Sequence, residues 1–541
     1  MTRPRRQFLA LAGGLSLAGA GFSGCSDNSG GRSGTRPGGS TGSGSGSQEE
    51  DEDNEMGALV KSRTALPRPF QVPLPIPPVL RPVRTDGTTD HYELTQQVKG
   101  SRIIPGHTTM VWGYNGVFPG PTIESRSGRT TVVRHRNTLP RPVSVHLHGG
   151  RTPAEHDGYP LDLVAPVGGS IPRGHGHAAM TPTSVTQGQK DYVYPMDQRA
   201  ATLWYHDHRM DFTGPQVYKG LAGFHLVRDD VEDALPLPKG DKDIPLMIVD
   251  RSFDEDGQFL YPSLDPKLAS RPGVKQGFMD GVLGDVVLVN GAPWPVLEVE
   301  ATRYRFRLLN ASNARIYRLT LSPQPSGGDA FVQIGGDGGL LEAPVRHDQV
   351  ELAPGERYDV VVDFSRYPVG TKVTMGNSLG TGETVRVMRF DVARKAREES
   401  TVPSRLSRIE RLDPAKAVTR RRFEFVRGDV GGMRGWTVNG EAFHPDKVLA
   451  RPKLNSVEVW EFRASAISHP VHLHLAHFQV VSRRGRRPGP YDSGWKDTLN
   501  LKQSDTAEVV VRFTGYRGRF VFHCHNLEHE DMAMMANFDV V

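Results

Sequence analysis

The chain has 541 residues, 37% of them hydrophobic and 23% charged, with a net charge of +5. This is the profile of a soluble globular protein of a few domains, each able to bury its own core. The basic residues are scattered, so no tract argues for nucleic acid as a partner.

The N-terminal stretch, MTRPRRQFLALAGGLSLAGAGFSGC, reads as a targeting segment over residues 1–25. Arg5-Arg6 followed by Phe8-Leu9 resembles a twin-arginine export signal, which places the mature protein outside the cytoplasm, at a cell surface or in a periplasm-like space. Phe22-Ser23-Gly24-Cys25 also resembles a lipoprotein cleavage box. Two outcomes stand open: a lipid anchor at Cys25, or simple cleavage. Residues 26–58 are Gly/Ser-rich and then acidic, a composition that buries too little apolar surface to order, so a flexible linker is expected.

From about residue 80 onward, alternating apolar and polar runs are bounded by Gly, Pro and Asn, and no long 3.6-residue period is found. The fold class is therefore all-β. One pattern occurs three times. Trp112–Gly116 (WGYNG), Leu288–Gly291 (LVNG) and Trp436–Gly440 (WTVNG) each read as a strand and an Asn-Gly turn, followed by a β-rich stretch carrying Glu. Three copies imply three β-sandwich domains, at 59–230, 241–393 and 416–541, with linkers at Val231–Lys239 and near Arg394–Ala415.

Ten of the 20 histidines fall in four clusters, all in the first and third repeats. These are His146 and His148; His206 and His208; His469, His472 and His474; and His523, His525 and His529. Each contains His-x-His, which on a strand puts both rings on one face. Four such pairs point to metal rather than to a polar strand edge. By the same alternation Cys524 leaves by the face opposite to His523 and His525. The other cysteine, Cys25, lies in what reads as a targeting segment, so a disulfide is not the expected role of Cys524. A thiolate with two imidazoles and a weak axial Met is the ligand set of a blue-copper site. Zinc is the competing metal, but so many imidazoles beside one thiolate fit copper better. The middle repeat has no histidine cluster and is expected to be structural. His175 and His177 read as a solvated loop, His477 as a residue behind the ligands or in the core, and Met532 and Met535 as packing.

These residues carry a family resemblance. WGYNGVFPGPTIE (112–124), HLHGGRTPAEHDGYP (146–160), LWYHDH (203–208), YRFRLLNAS (304–312), HPVHLHLAHF (469–478), GWKDT (494–498) and HCHNLEHED (523–531) resemble the multicopper oxidases, in particular the spore-coat laccase, bilirubin oxidase and phenoxazinone synthase branch. The resemblance spans about Leu74 to the C-terminus. It implies three cupredoxin-like Greek-key β-sandwiches and four coppers. Type 1 copper would take His469, Cys524, His529 and axial Met534. Type 2 would take His146 and His472, and the type 3 pair His148, His206, His208, His474, His523 and His525. It further implies electron entry at an exposed edge of His529, transfer across the Cys524–His523 and Cys524–His525 links, and reduction of O₂ to water. Asp157 and Glu530 are the implied proton relays, with orientation of ligands as their alternative role.

Phenols, aromatic amines or bilirubin-like tetrapyrroles are the expected reductants. The alternative is a metal-ion oxidase of Cu(I) or Mn(II). The 14 methionines are spread out except at the C-terminal group, which favours organic substrates. A non-enzymatic copper carrier needs only the type 1 set and leaves the other histidines unexplained.

Overall fold

A computed structural model describes residues 57–171, 180–268, 274–430 and 432–541. The targeting segment, Cys25, most of the expected linker and the loop histidines His175 and His177 lie outside the described residues. No helix among the described residues is long and apolar enough to cross a membrane.

Most of the strands assemble into three successive pairs of sheets, and Ala58–Leu59 with Val282–Leu283 and Asp162–Ala165 with Ser184–Gln187 form two small two-stranded sheets beside them. The first pair has a five-stranded sheet built on Thr89–Ser101 and a four-stranded sheet that ends on Val145–His148. The middle pair has seven and five strands, and the third pair five and five. The same arrangement recurs in each. Thr89–Ser101, Asp243–Arg251 and Thr419–Val430 each pair antiparallel with the strand that precedes or contains the Asn-Gly turn, and parallel with the next long strand.

The turns explain the repeated dipeptide. Asn115-Gly116, Asn290-Gly291 and Asn439-Gly440 all have positive φ at both residues, which Asn and Gly tolerate best. Asn also has a second task. Asn115 Oδ1 accepts from Thr95 N (2.9 Å), Asn290 Oδ1 from Met247 N (2.8 Å) and Asn439 Oδ1 from Glu424 N (2.8 Å). The three backbone N–H groups donate back to the carbonyls of those same residues. A side chain thus completes the ladder where the turn interrupts it.

Two segments depart from the expected boundaries. Ala58–Leu59 forms a strand parallel to Val282–Leu283, so residue 58, expected in the linker, is paired backbone. The chain then follows the middle sandwich, with Phe70 N donating to Trp294 O and Leu74 N to Val296 O, before Leu80 reaches Thr122 of the first. Val60 and Leu74 are buried in the middle core. Apolar anchors, not sequence order, decide which sandwich the segment joins.

The expected linker at Val231–Lys239 is no passive spacer. The helix Asp230–Ala234 is capped by Asp229, whose Oδ1 accepts from Glu232 N at 2.8 Å. This cap aims Glu232 into a buried ionic network. Arg305 donates to Glu232 Oε2 (2.9 Å) and pairs with Asp359, while Arg307 reaches Glu232 Oε1 (3.0 Å) and Asp243 Oδ1 (2.8 Å). Removing one member of such a network leaves a buried charge unpaired.

Burial alone would raise the Glu232 carboxyl above its ordinary 4.5, but Arg307 and Arg305 outweigh burial and hold it well below. A depressed folded-state pKa stabilises fully above the unfolded value and is lost as pH falls. Glu232→Gln is therefore expected to cost about 3–5 kcal/mol at neutral pH. It is also expected to flatten the loss of thermal stability on acidification, as scanning calorimetry across pH would show.

Candidate metal centre

The first donor set lies inside the third sandwich. His469 opens the strand His469–Leu473, Cys524 closes Gly518–Cys524, and His529 sits in the short helix Leu527–Asp531. Asn526 starts that helix by accepting from Glu528 N (3.2 Å) and His529 N (3.4 Å). Cys524 Sγ is 3.5 Å from His469 Nδ1 and 3.4 Å from His529 Nδ1, and the two nitrogens are 3.1 Å apart. Met534 is fully buried in the same apolar cluster as Cys524. Its N donates to His529 O (3.0 Å) and its carbonyl accepts from Cys524 N (3.1 Å), which ties it to both. Burial pushes the Cys524 thiol up, so the thiolate needs a cation beside it. Two imidazole nitrogens at that sulfur fit a soft metal.

His529 has no exposed edge, contrary to the sequence expectation: it is fully buried. The Trp436 ring lies 4.7 Å from its ring at an angle of 36°. Trp436 Nε1 donates to Met279 O (3.1 Å), Arg427 sits over Trp436 and pairs with Asp280 (2.6 Å), and Asn526 Nδ2 donates to Asp280 O (3.0 Å). The segment just before the strand Val282–Leu283, which pairs with Ala58–Leu59, thus closes over a site in the third sandwich.

The second donor set gathers the other eight histidines. Cross-strand pairing sets His206 opposite His146, and His523 opposite His472. In three of the four pairs the second histidine lies just past the end of its strand. His146 Nε2 and His472 Nε2 are 3.3 Å apart, and His523 Nε2 is 3.2 Å from both His208 Nε2 and His474 Nε2. His148, His206 and His525 form a further triad. All eight are buried.

Backbone carbonyls fix the tautomers, because a carbonyl only accepts. His146 Nδ1 donates to Asp157 O (2.6 Å), His206 Nδ1 to Asp207 O (2.8 Å), His472 Nδ1 to Asp497 O (3.0 Å) and His523 Nδ1 to Cys524 O (3.1 Å). Each leaves Nε2 with a lone pair. His148 Nδ1, His206 Nε2 and both nitrogens of His525 are buried with no hydrogen-bond partner. Burial pushes His208 down to about 4 and His525 to about 3, so these rings are neutral, the form that binds metal. Convergent, unprotonated nitrogens without partners are what a metal cluster requires.

Sequence models described as multicopper oxidase match residues 97–232 and 413–541. A laccase of Bacillus stratosphericus is 37% identical over 521 residues, covering 86% of this chain and 98% of that protein. The chain belongs to the multicopper oxidase family. A bilirubin oxidase of Albifimbria verrucaria is 36% identical, covering 87% of this chain and 81% of its own length. A laccase crystal structure from Pediococcus acidilactici superposes with a TM-score of 0.76 at 31% identity, over 89% of this chain and 96% of that one. This multicopper oxidase has three cupredoxin-like Greek-key domains, copper as its cofactor, and O₂ as its electron acceptor.

The carboxylates singled out in the sequence both touch the histidines. Asp157 Oδ2 accepts from His474 Nδ1 at 2.7 Å, and Thr152 Oγ1 lies 3.3 Å from its Oδ1. Burial pushes the Asp157 carboxyl up to about 8. Glu530 Oε2 is 3.1 Å from His523 Nδ1 and Oε1 is 3.6 Å from His208 Nδ1. The His523 N–H is aimed at Cys524 O, however, and neither Glu530 oxygen has a directed hydrogen bond. His477 stands behind the cluster, 3.1 Å from Gly149 O. Met535 packs in a separate cluster with Tyr159 and Val521, and Met532 lies partly buried against the third core.

Among the residues that the sequence did not single out, one carboxylate touches the histidines. Asp497, in the GWKDT stretch, is fully buried with Oδ1 3.1 Å from His148 Nε2. A carboxylate in a run otherwise lacking metal-ligand spacing gives no sequence signal by itself.

Cys524→Ser, nearly isosteric, is expected to abolish the blue absorption of the copper-loaded oxidase and its turnover while leaving circular dichroism unchanged. Full turnover in that variant would exclude Cys524 from the electron route.

Proposed function

We propose that this oxidase takes single electrons from small aromatic reductants, namely phenols, aromatic amines or bilirubin-like compounds, and reduces O₂ to water. The observation that carries the reading is the junction at Cys524: its thiol faces one donor set while His523 and His525, its chain neighbours, face the other. In this reading His469, Cys524, His529 and Met534 hold type 1 copper, and His146 and His472 hold type 2. His148, His206, His208, His474, His523 and His525 hold the type 3 pair. Bound copper would supply one-electron oxidation at the first set and O₂ reduction at the second.

The chain's own residues supply the rest. The peptide links from Cys524 to both neighbouring histidines give electrons a covalent route. Asp157, with its raised carboxyl pKa, holds a proton beside His474, and Glu530 stands between His208 and His523. Reductants dock outside the cover formed by Trp436, Met279 and Asp280, since His529 itself is buried. The relatives named laccase and bilirubin oxidase support organic reductants. Among the described residues nothing favours Cu(I) or Mn(II) over them. The export reading rests on residues 1–25 alone, and the N-terminal mass of exported protein separates a lipidated Cys25 from a plain cleaved end.

Oxygen uptake by copper-loaded protein with 2,6-dimethoxyphenol tests the proposal. Four electrons per O₂ without peroxide are expected, and no uptake overturns it. Asp157→Asn is expected to slow O₂ reduction about a hundredfold while sparing the blue absorption.

A further inference from the structure

The middle sandwich supplies no histidine to either donor set, yet one of its residues reaches the second set. Arg357 opens the strand Arg357–Asp363 and is fully buried. Its guanidinium grips Asp497 with two bonds, Nη1 to Oδ1 (2.6 Å) and Nη2 to Oδ2 (2.5 Å). The other donors are also engaged. Nε donates to Thr202 O (2.9 Å), Nη1 to Gly355 O (2.9 Å) and Nη2 to Asp337 O (3.1 Å). A guanidinium has five N–H bonds, and all are used. Their acceptors come from all three sandwiches: Thr202 from the strand that leads to His206, Gly355 and Asp337 from the middle one, and Asp497 from the third.

Asp497 passes this fixed position on to two rings. Its Oδ1 is 3.1 Å from His148 Nε2, and Thr498 Oγ1, which donates to the same carboxylate oxygen (2.9 Å), is 3.0 Å from that nitrogen. A carboxylate only accepts, so His148 carries its proton on Nε2 and keeps the lone pair on Nδ1, which is buried without a hydrogen-bond partner in the triad with His206 and His525. The Asp497 carbonyl accepts from His472 Nδ1 (3.0 Å), which leaves His472 Nε2 facing His146. Most of the rings bound to carbonyls do the reverse of His148, so its tautomer depends on Asp497 and Thr498. The neighbouring loop leaves no slack. A Cβ at Gly355 would lie 3.0 Å from His525 Cδ2 and 3.1 Å from His148 Cε1, so the backbone rests against the two rings.

We infer that Arg357 is a positioning residue for the second copper set: through Asp497 it fixes the tautomer and orientation of His148 and His472. This rests on the reading of those histidines as copper ligands. The middle sandwich, expected from its sequence to be structural, then governs the geometry of a centre to which it gives no ligand. Loss of a carboxylate that orients a ligating histidine typically costs tenfold to a hundredfold in metal affinity. Lysine keeps the charge of Arg357 but cannot reproduce the planar fork.

The test compares copper-loaded wild type with Arg357→Lys and with the charge-neutral pair Arg357→Met/Asp497→Asn. Three quantities are read: copper per chain, resistance to a chelator, and the electron paramagnetic resonance of type 2 copper. A wild type without a type 2 signal would overturn the ligand assignment itself, separately from the inference. With that signal present, Arg357→Lys is expected to keep its circular dichroism and blue absorption. It should release copper from the histidine set at roughly tenfold lower chelator concentration, with an altered type 2 hyperfine splitting. A wild-type signal and wild-type chelator resistance in Arg357→Lys would show that only the charge matters and overturn the proposal. Should the lysine variant fail to fold, the neutral pair decides. Replacing a buried ion pair by groups of similar volume is often well tolerated. The same loss of copper in the folded double variant is expected, and full retention overturns the inference.

Discussion

Successive side chains on a strand leave by opposite faces, and the site of this oxidase depends on that rule at one place. At the end of Gly518–Cys524, the thiol turns into the apolar interior of the third sandwich with Met534. His523 and His525 turn outward, to the junction with the first. A one-residue slip of this strand would exchange the two faces and place a thiol among imidazoles. Register is therefore under tight control. His472 opposes His523 and Val471 opposes Cys524, and on the other side Met535 opposes His523.

Burial makes the arrangement costly without a cation. Unpartnered nitrogens on His148, His206 and His525 each forgo the hydrogen bonds that water would give, at roughly 1–3 kcal/mol per group. A bound cation would satisfy these lone pairs, and the surrounding sheets hold them in place to receive it. The three sandwiches share that task. The Glu232 network fastens the first to the middle, and Arg357 touches all three. Near the cysteine, Asn313 Nδ2 donates to Glu528 Oε1 (2.7 Å) and Val282 N to Glu528 Oε2 (3.0 Å), so the middle sandwich also holds the helix that carries His529.

Much of this was readable in the sequence because it is local. His-x-His spacing, the HCH triplet and the Asn-Gly turns are patterns within a few residues, and each follows from strand alternation or positive φ. What escaped is non-local. Arg357 and Asp497 are 140 residues apart, and no spacing rule links them. The cover over His529 comes from a segment of another sandwich, so its burial could not be inferred from the residues flanking it. The segment after Ala58 is short, Pro-rich and without a period, and its allegiance to the middle core is settled by Val60 and Leu74 finding room there.

The cover has a consequence for selectivity. A pocket that grips a substrate chooses by outline, since each buried polar group must find its match. Here the ring that covers His529 is Trp436, itself 1% exposed and capped by Arg427. If reductants dock on that cap, as proposed above, they give up their electron without inserting any atom beside a ligand. Choice among reductants then falls to how readily they release an electron and how their charge suits the Arg427–Asp280 rim, and molecules of quite different shape become equivalent.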